Sequence, residues 1–386
     1  MEWNTAPGIH DDLSREVHCV LGIPIDAIEM PAVLRSIDAA AAAAAPFLIS
    51  TSNLNFLVNS QTDSEFRESL LLSDLCPPDG MPIVWIAWLL GIPIKKRAAG
   101  SDFFEELKSR PSFGRPLKIF LFGSTEQVAA EACNRLNSDA AGLKCVGWLC
   151  PGFGDMDELS QDHFIDQINA SNADFLVAAL GAKKGQLWLR RNHRRLKIPI
   201  RAHLGAVINF QAGIVRRAPL AVRRLSLEWL WRIKEEPSLF GRDWHDGGVL
   251  IRLLLTRVLP LAAGARWRQL RAERGRHDFV IVPVHHDQRV TLRISGDATA
   301  SQLPRAIAAF RDAVGCQKPI EVDLSGTRAV DARFFGLFLM LRKQLRARET
   351  GLRFVGVSPA LERLFRLNGI GYLLSSSDQH DVNTVH

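Results

Sequence analysis

The chain has 386 residues, 47% of them apolar and 23% charged, which excludes a disordered or fibrous protein and, at about 100–200 residues per domain, predicts at least two domains. The formal net charge of +7 is unevenly placed. Between Ile214 and Arg276 there are fourteen Lys and Arg against six Asp and Glu, a local +8, so the remainder sums to −1.

The six cysteines, Cys19, Cys76, Cys133, Cys145, Cys150 and Cys316, make no C-x-x-C pair and no metal spacing with histidine, and no secretory signal precedes them, so a reducing cytoplasm is expected. A transmembrane helix needs about 18 uninterrupted apolar residues. Met81 to Ile94 is too short and Val249 to Ala263 is cut by Arg252 and Arg257, so no bilayer span is expected.

Met1 to Ser14 lack apolar periodicity and read as a loose tail. Val17 to Ile23 reads as a strand, Met30 to Ala45 as an alanine-rich helix closed by Pro46, and Phe47 to Ser50 as a short buried strand. That strand runs into Thr51-Ser52-Asn53-Leu54-Asn55. Polar residues at a strand's carboxyl end either bind a ligand, as in open α/β sheets, or cap the next helix. After a helix at Ser64 to Leu72 comes Cys76-Pro77-Pro78-Asp79-Gly80-Met81-Pro82, a lone carboxylate on a proline-stiffened turn with an apolar run behind it. Two readings stand for Asp79. It is a turn residue, with proline fixing φ and glycine supplying φ > 0, or a general base whose pKa and direction the turn tunes.

An apolar helix at Ile83 to Leu90 leads to Arg97-Ala98-Ala99-Gly100-Ser101-Asp102. Ser101 or Asp102 is expected to cap a helix at Phe103 to Lys108, and Arg97 either holds an anionic group beside that helix start or is an ordinary surface arginine. Leu117 to Phe122 is a strand that passes through Gly123-Ser124-Thr125 into a helix at Gln127 to Leu136, the general form of a nucleotide-phosphate site but with a single glycine. Cys145 to Trp148, Phe175 to Leu180 and Ile200 to Leu204 supply further strands. Val17 to Phe210 therefore reads as an α/β, Rossmann-like, mainly parallel sheet with helices on both faces and ligands at the strand carboxyl ends. Asp155-Met156-Asp157 has the form of a metal-binding carboxylate pair, although acidic residues ahead of a helix at Leu159 to Ile168 are ordinary N-terminal charge.

From Ile214 arginines interleave with Leu and Trp. Such a basic, amphipathic, Trp-bearing stretch suits an anionic membrane surface or a polyphosphate. Nucleic acid competes for the same charge but ranks lower, because no helix-turn-helix, zinc-finger or RNP-type pattern accompanies it. From about His277 to Ser376, strands at Phe279 to Pro283, Val290 to Ile294, Ile320 to Leu324 and Leu352 to Val357 alternate with amphipathic helices. His285-His286-Asp287 between the first two reads as a hairpin turn rather than a metal cluster. This is a small α/β domain without nucleophile or phosphate loop, read as a binding module, and the tail after Ser377 is polar.

Taken in order, Thr51-x-Asn53, Pro78-Asp79-Gly80, Arg97-x-x-Gly100-Ser101-Asp102, Phe122-Gly123-Ser124, Gly181 with Trp188, Ala212-Gly213, Arg217-Ala218-Pro219 and Glu228-Trp229-x-x-Arg232-x-x-x-x-Pro237 resemble the WecG/TagA/CpsF glycosyltransferases, family 26, from about Val17 to Arg242. The resemblance implies transfer of a sugar from a UDP-sugar donor to a polyprenyl-diphosphate-linked saccharide in bacterial polysaccharide biosynthesis. It implies inversion at the anomeric carbon, no metal and no cofactor, and a peripheral location on the cytoplasmic face of the cell membrane. Carried over by position, Asp79 becomes the base that deprotonates the acceptor hydroxyl. Thr51, Asn53, Gly80, Arg97, Ser101, Asp102, Gly123, Gly181 and Gln186 become substrate-binding residues, with Arg97 on the donor diphosphate. Arg217, Arg232 and Arg242 become contacts to diphosphate or membrane.

Two departures stand out. The family usually reads G-x-P-K-Q-E-x-W, whereas this chain has Lys183 for the proline, Gly185 for the glutamine and Gln186 for the glutamate, and Asn209 stands where an aspartate is common. Either departure implies altered donor choice or lost activity. Val322-Asp323-Leu324-Ser325 followed by Val330-Asp331 and a helix resembles a STAS domain, the fold of sulfate transporters and anti-sigma-factor antagonists. Regulatory STAS domains carry a phosphorylatable Ser or Thr just after that aspartate. Ala332 and Arg333 stand there, which implies a docking role with a protein partner and no phosphoserine switch.

The expected organisation is a glycosyltransferase core at 15–213, a basic appendage and linker at 214–276, and a STAS-like domain at 277–376. The alternative function is a catalytically inactive scaffold or regulatory protein acting through the STAS-like domain.

Overall fold

The computed structural model describes residues 11–110, 114–216, 218–219, 222, 231, 234, 240–272 and 278–375. They form two compact units. One gathers Ile28–Trp85 with Ile94–Ile251, and the other gathers the chain up to Ala27 with Ile86–Pro93 and the chain from Arg252. The second unit is assembled from three separate runs of the chain.

Val17 to Ile23, expected as one strand, is half of an antiparallel hairpin formed by β1 (Val17–Val20) and β2 (Ile23–Asp26). The two-residue turn Leu21-Gly22 has φ of 50° and 98°, the left-handed pair that matches strand twist. The run before it is no loose tail where it is described. Leu13 is fully buried, and Asp12 accepts hydrogen bonds from Arg15 and Lys343.

The first unit runs α1 (Met30–Ala43), β3 (Phe47–Ile49), α2 (Leu54–Thr62), α3 (Ser64–Leu71), the start of α4 (Met81–Leu89, whose residues from Ile86 belong to the second unit), α5 (Gly100–Ser109), β4 (Leu117–Gly123), α6 (Glu126–Asp139), β5 (Leu143–Leu149), α7 (Asp162–Ala170), β6 (Phe175–Ala179), α8 (Ala182–Arg191), β7 (Ile200–His203) and α9 (Gly205–Gln211). Its five strands are all parallel in the order β3-β7-β6-β4-β5. Alternate residues feed two cores: Ile119, Leu121, Phe175 and Val177 pack on one face, Phe120, Phe122, Leu176 and Ala178 on the other. Period-two alternation into two apolar layers is what a Rossmann-like sheet covered by helices on both faces requires. The chain leaves β4 towards β5 and leaves β6 in the opposite direction towards β7, so the switch point falls between β4 and β6. Cys133 on α6 and Cys145 on β5 form a disulfide, a pairing that the expectation of uniformly reduced thiols did not include. Cys19, Cys76, Cys150 and Cys316 are thiols outside any disulfide.

In the second unit β8 (Val280–His285), β9 (Val290–Ala298), β10 (Ile320–Val330) and β11 (Leu352–Val355) form a mixed sheet in the order β11-β10-β9-β8, and the turn between β8 and β9 holds His286 and Asp287 as expected. The helix Ala332–Ala347 packs its Phe334, Phe335 and Phe338 rings against Phe310, Phe354 and Phe365. Its other neighbour is the hairpin. Arg333 donates to the Val17 and Arg15 carbonyls at 3.0 and 2.8 Å, and Cys19 Sγ donates to the Asn368 carbonyl at 3.6 Å.

One helix departs from the sequence reading. Gly241–Trp267 is continuous over 27 residues and contains an 18-residue window of mean hydropathy 1.6, of which 17% is buried, enough by length and composition to cross a membrane. The sequence reading stopped at Arg252 and Arg257, whereas the helix runs through both, with a π turn at Leu254–Val258.

Candidate active site

The site is built on β3. Its three residues are buried, and its carboxyl end continues as Ser50 to Asn53 beside Asp74 to Asp79, which runs parallel to it through bridges at Ile49–Leu75 and Ser52–Pro78. Ser52 N donates to the Pro77 carbonyl at 3.2 Å and Asp79 N to the Ser52 carbonyl at 2.9 Å. Pro77 and Pro78 lack N–H groups, which an outer-edge segment does not need. Ala98 N then donates to the Pro78 carbonyl at 2.8 Å, which lays the Arg97–Gly100 run against the Asp79 turn. Gly80 has φ of 102°, so the turn reading of this tripeptide holds as well.

Asp79, Thr51 and Gly100 meet here. Gly100 N donates to Asp79 Oδ2 at 3.4 Å, and a Cβ on Gly100 would fall 3.0 Å from Thr51 Cγ2 and 2.6 Å from Leu204 Cδ2. Ser101 and Asp102 do not cap α5. The cap position is Ala99, without a side-chain bond, and the helix starts at Gly100, so the Asp79 carboxylate meets a backbone donor that a local cap would otherwise take. Arg97 and Asp102 are partly buried and pair at 3.6 Å. Asn53 caps α2, accepting from Phe56 N at 3.0 Å, so the capping reading of that residue is realised. Next to it, Asn55 Nδ2 donates to Asp246 at 2.9 Å, and Asp246 is only 5% exposed.

Gly123 and Gly181 flank the switch point at the ends of β4 and β6, with φ of 103° and 85°. Ser124 N donates to the Ala179 carbonyl at 3.2 Å, and a Cβ on Gly123 would lie 2.6 Å from that oxygen, so glycine lets the two strand ends close up. A Cβ on Gly181 would meet nothing within 4 Å, so that residue opens onto space at the start of α8.

Gln186, expected among the substrate-binding residues, is fully buried. Its Nε2 donates to Ser50 Oγ at 2.5 Å and to the Ser69 carbonyl at 3.3 Å, so it braces the end of β3 from beneath rather than lining a cleft. The space over Gly185 belongs to His203, whose ring would lie 2.2 Å from a Cβ there. His203 was missed in the sequence. It sits at the carboxyl end of β7, between the ends of β3 and β6, its Nε2 is closed off without a partner, and burial pushes its pKa down to about 4, so the ring is neutral at neutral pH. A polar residue ending a buried strand was the available signal.

Arg242 is exposed and pairs with Asp243, while Arg217 and Arg232 lie outside the described residues. Asp155 caps its own turn by accepting from Asp157 N and Glu158 N, and Asp157 pairs with Arg191. Among the described residues no group of three or more His, Cys, Asp and Glu is placed to hold a metal ion.

A parallel sheet whose carboxyl edge carries a carboxylate against a helix start, with two positive-φ glycines at its switch point, places this protein in the open α/β class that holds ligands at the strand carboxyl ends. Residues 18–263 match the model of the Glycosyl transferase WecG/TagA/CpsF family, and the chain belongs to that family. It is a glycosyltransferase. Residues 281–375 match the Mlab, STAS domain. The chain is similar to the N-acetylglucosaminyldiphosphoundecaprenol N-acetyl-beta-D-mannosaminyltransferase of Bacillus spizizenii, with 26% identity over 194 residues, 50% of this chain and 73% of the relative. It is similar also to the protein of the same name in Bacillus subtilis, with 27% identity over 197 residues, 50% and 74% of the two chains.

Proposed function

We propose that the protein transfers an N-acetylhexosamine from a UDP-sugar to a polyprenyl-diphosphate-linked saccharide, with inversion and with Asp79 as general base. The observation that carries this is the meeting of Asp79, Thr51 and the N-terminus of α5 at the carboxyl end of β3. The relatives' names supply the sugar class and the acceptor class. In the proposed step the acceptor hydroxyl gives its proton to the Asp79 carboxylate as its oxygen bonds to the anomeric carbon. The bond from that carbon to the diphosphate breaks on the opposite face and UDP departs with the electron pair.

The donor diphosphate sits at the switch point beside Gly181 and Gly123, two and three strand spacings or about 10–14 Å from the end of β3. Arg97 precedes Ala98, whose N–H meets the Pro78 carbonyl of this turn, and steadies the leaving group. His203 fills what the altered Gly185 vacates, which supports an intact rather than a collapsed site.

The protein works at the cytoplasmic membrane face as a peripheral protein. Trp244, Ile251, Leu255 and Trp267 of the long helix are exposed, as are Arg242, Arg252 and Arg266, and Trp85 and Trp88 of α4 are exposed too. Exposed tryptophan beside arginine suits an interfacial helix on anionic lipid. A STAS-like module leaves a protein partner as a further component of the assembly.

Asp79→Asn tests the base. Turnover from UDP-N-acetylmannosamine to a short-chain N-acetylglucosaminyl-diphosphate lipid is expected to fall by about 10²–10⁴, while the thermal shift given by UDP persists. Wild-type turnover in that variant overturns the assignment, and absence of transfer and of a UDP shift in the wild-type chain overturns the transferase reading.

A further inference from the structure

Strand order puts one polar residue between the two ends of the proposed reaction. Asp79 stands beside the carboxyl end of β3, the diphosphate seat at Gly181 follows β6, and β7 lies between those two strands. Neighbouring strands are about 5 Å apart, so a sugar that reaches from base to diphosphate passes over the end of β7. That end is His203. Leu204, next in the chain, closes the space over Gly100 beside Thr51, so the backbone that carries His203 belongs to the Asp79 cluster.

The neighbouring helices fix how the ring is turned. A Cβ on Gly185 of α8 would lie 2.2 Å from Cδ2 and 3.0 Å from Nε2, and a Cβ on Gly205 of α9 would lie 3.3 Å from Nε2 and 3.5 Å from Cε1. The Cδ2–Nε2 edge therefore faces the backbone of these helices, and Nδ1 is the nitrogen turned from both. The two nitrogens differ accordingly. Nε2 is sealed without a partner, whereas Nδ1 is not sealed and has no hydrogen-bond partner among the described residues, and the residue as a whole is partly exposed.

The place of the proton follows. The ring is neutral at neutral pH, its pKa pushed down to about 4 by burial, and so carries a single N–H. Orphaned buried N–H donors are rarer in folded proteins than under-satisfied acceptors, which leaves the bare lone pair on the sealed Nε2 and the hydrogen on Nδ1. His203 thus offers one donor that the protein itself does not use. A neutral ring brings no charge to a phosphate, for which a guanidinium is the stronger partner. It matches the uncharged hydroxyl and amide oxygens of a sugar.

We propose that His203 is a specificity-determining residue whose Nδ1–H donates to an oxygen of the sugar being transferred, holding that sugar between Asp79 and the diphosphate. The inference rests on the transferase reading above and adds to it the group that reads the donor sugar.

The test uses the full chain labelled with ¹⁵N at histidine, the His203 resonances being assigned by their loss in His203→Asn. The free protein is expected to show the Nδ1–H tautomer. UDP-N-acetylmannosamine is expected to move the Nδ1 resonance saturably, and UDP alone is expected to leave it in place. In turnover, His203→Phe keeps a ring in the same space and is expected to lower kcat/KM about tenfold, the worth of one hydrogen bond, with the thermal shift given by UDP unchanged. His203→Asn, whose Nδ2 donor stands where Nδ1 stood, is expected to recover most of that loss. An Nε2–H tautomer, an equal response to UDP alone, or wild-type kcat/KM in His203→Phe overturns the assignment. So does equal loss in His203→Asn and His203→Phe, which marks the ring as packing only. Transfer by a wild-type chain whose His203 does not respond to the UDP-sugar overturns this inference alone, whereas absence of both transfer and a UDP thermal shift overturns the transferase reading and this inference with it.

Discussion

Asp79 Oδ2 lies 3.4 Å from the backbone nitrogen of Gly100, and the Thr51 methyl and the Leu204 side chain close the space above that glycine. Residue 100 therefore sets the separation between β3 and the start of α5. Gly100→Ala is expected to cost roughly 1–3 kcal/mol by overpacking and to lower kcat/KM about tenfold or more by moving the helix start away from the carboxylate. Leu204→Ala in the same chain removes the nearer of the two contacts, at 2.6 Å. A double-mutant cycle on thermal stability and turnover is expected to show the second change rescuing part of the first.

Gly185 stands where the resemblance to the family leads one to expect a glutamine, and His203 occupies the space. Restoring the usual residue with Gly185→Gln is expected to destabilise the fold by roughly 1–3 kcal/mol, because its Cβ meets the imidazole at 2.2 Å. Gly185→Gln with His203→Ala is expected to be more stable than Gly185→Gln alone. Denaturant midpoints of the wild type and the two variants check this.

Stability is expected to fall between pH 6.5 and 4. His18 in the folded chain has its pKa pushed to about 4 from the ordinary 6.5, so the unfolded chain takes up this proton first. The stabilisation is fully present above pH 6.5 and is lost as pH falls through that window, flattening below pH 4. At about 1.4 kcal/mol per pKa unit the loss is on the order of 3 kcal/mol. His18→Phe is expected to remove about half of the pH dependence of the unfolding free energy over that window, because His203, whose pKa is likewise pushed down to about 4, keeps the other half, and an unchanged slope in that variant contradicts the buried neutral ring.

Gly336 lies inside the helix Ala332–Ala347, where glycine to alanine ordinarily gains about 1 kcal/mol. Here a Cβ would fall 2.0 Å from the Val17 carbonyl oxygen, a backbone atom that moves only if β1 moves. Gly336→Ala is expected to lower the melting temperature and expose residues 11–26 to protease. Gly315→Ala, whose Cβ would meet nothing within 4 Å, is expected to leave both unchanged.

The parallel sheet was legible because each strand is a short apolar run ended by a polar or glycine residue. Leu117 to Phe122 was read to within a residue of the β4 observed. The Asp79 turn was legible for the same local reason: proline and glycine announce a turn wherever they fall together. What stayed hidden was non-local. Gln186 is polar and one position from a glycine, and nothing nearby in sequence shows that Ser50, Ser69 and Ser73 enclose it. The Cys133–Cys145 pair spans an α–β connection that sequence spacing does not flag. The long helix was cut short because arginines interrupt an apolar count without interrupting a helix.

The hairpin of β1 and β2 is the first described secondary structure to leave the ribosome, and the helix that Arg333 and Gly336 place against it is made more than 300 residues later in the chain. At synthesis rates of about 5–20 residues per second, the hairpin waits roughly 15–60 s for its partner. During that interval the parallel-sheet unit has all of its sequence and the other unit does not, so synthesis itself imposes an order on assembly: the transferase sheet closes first and the chain's own beginning is gathered in last.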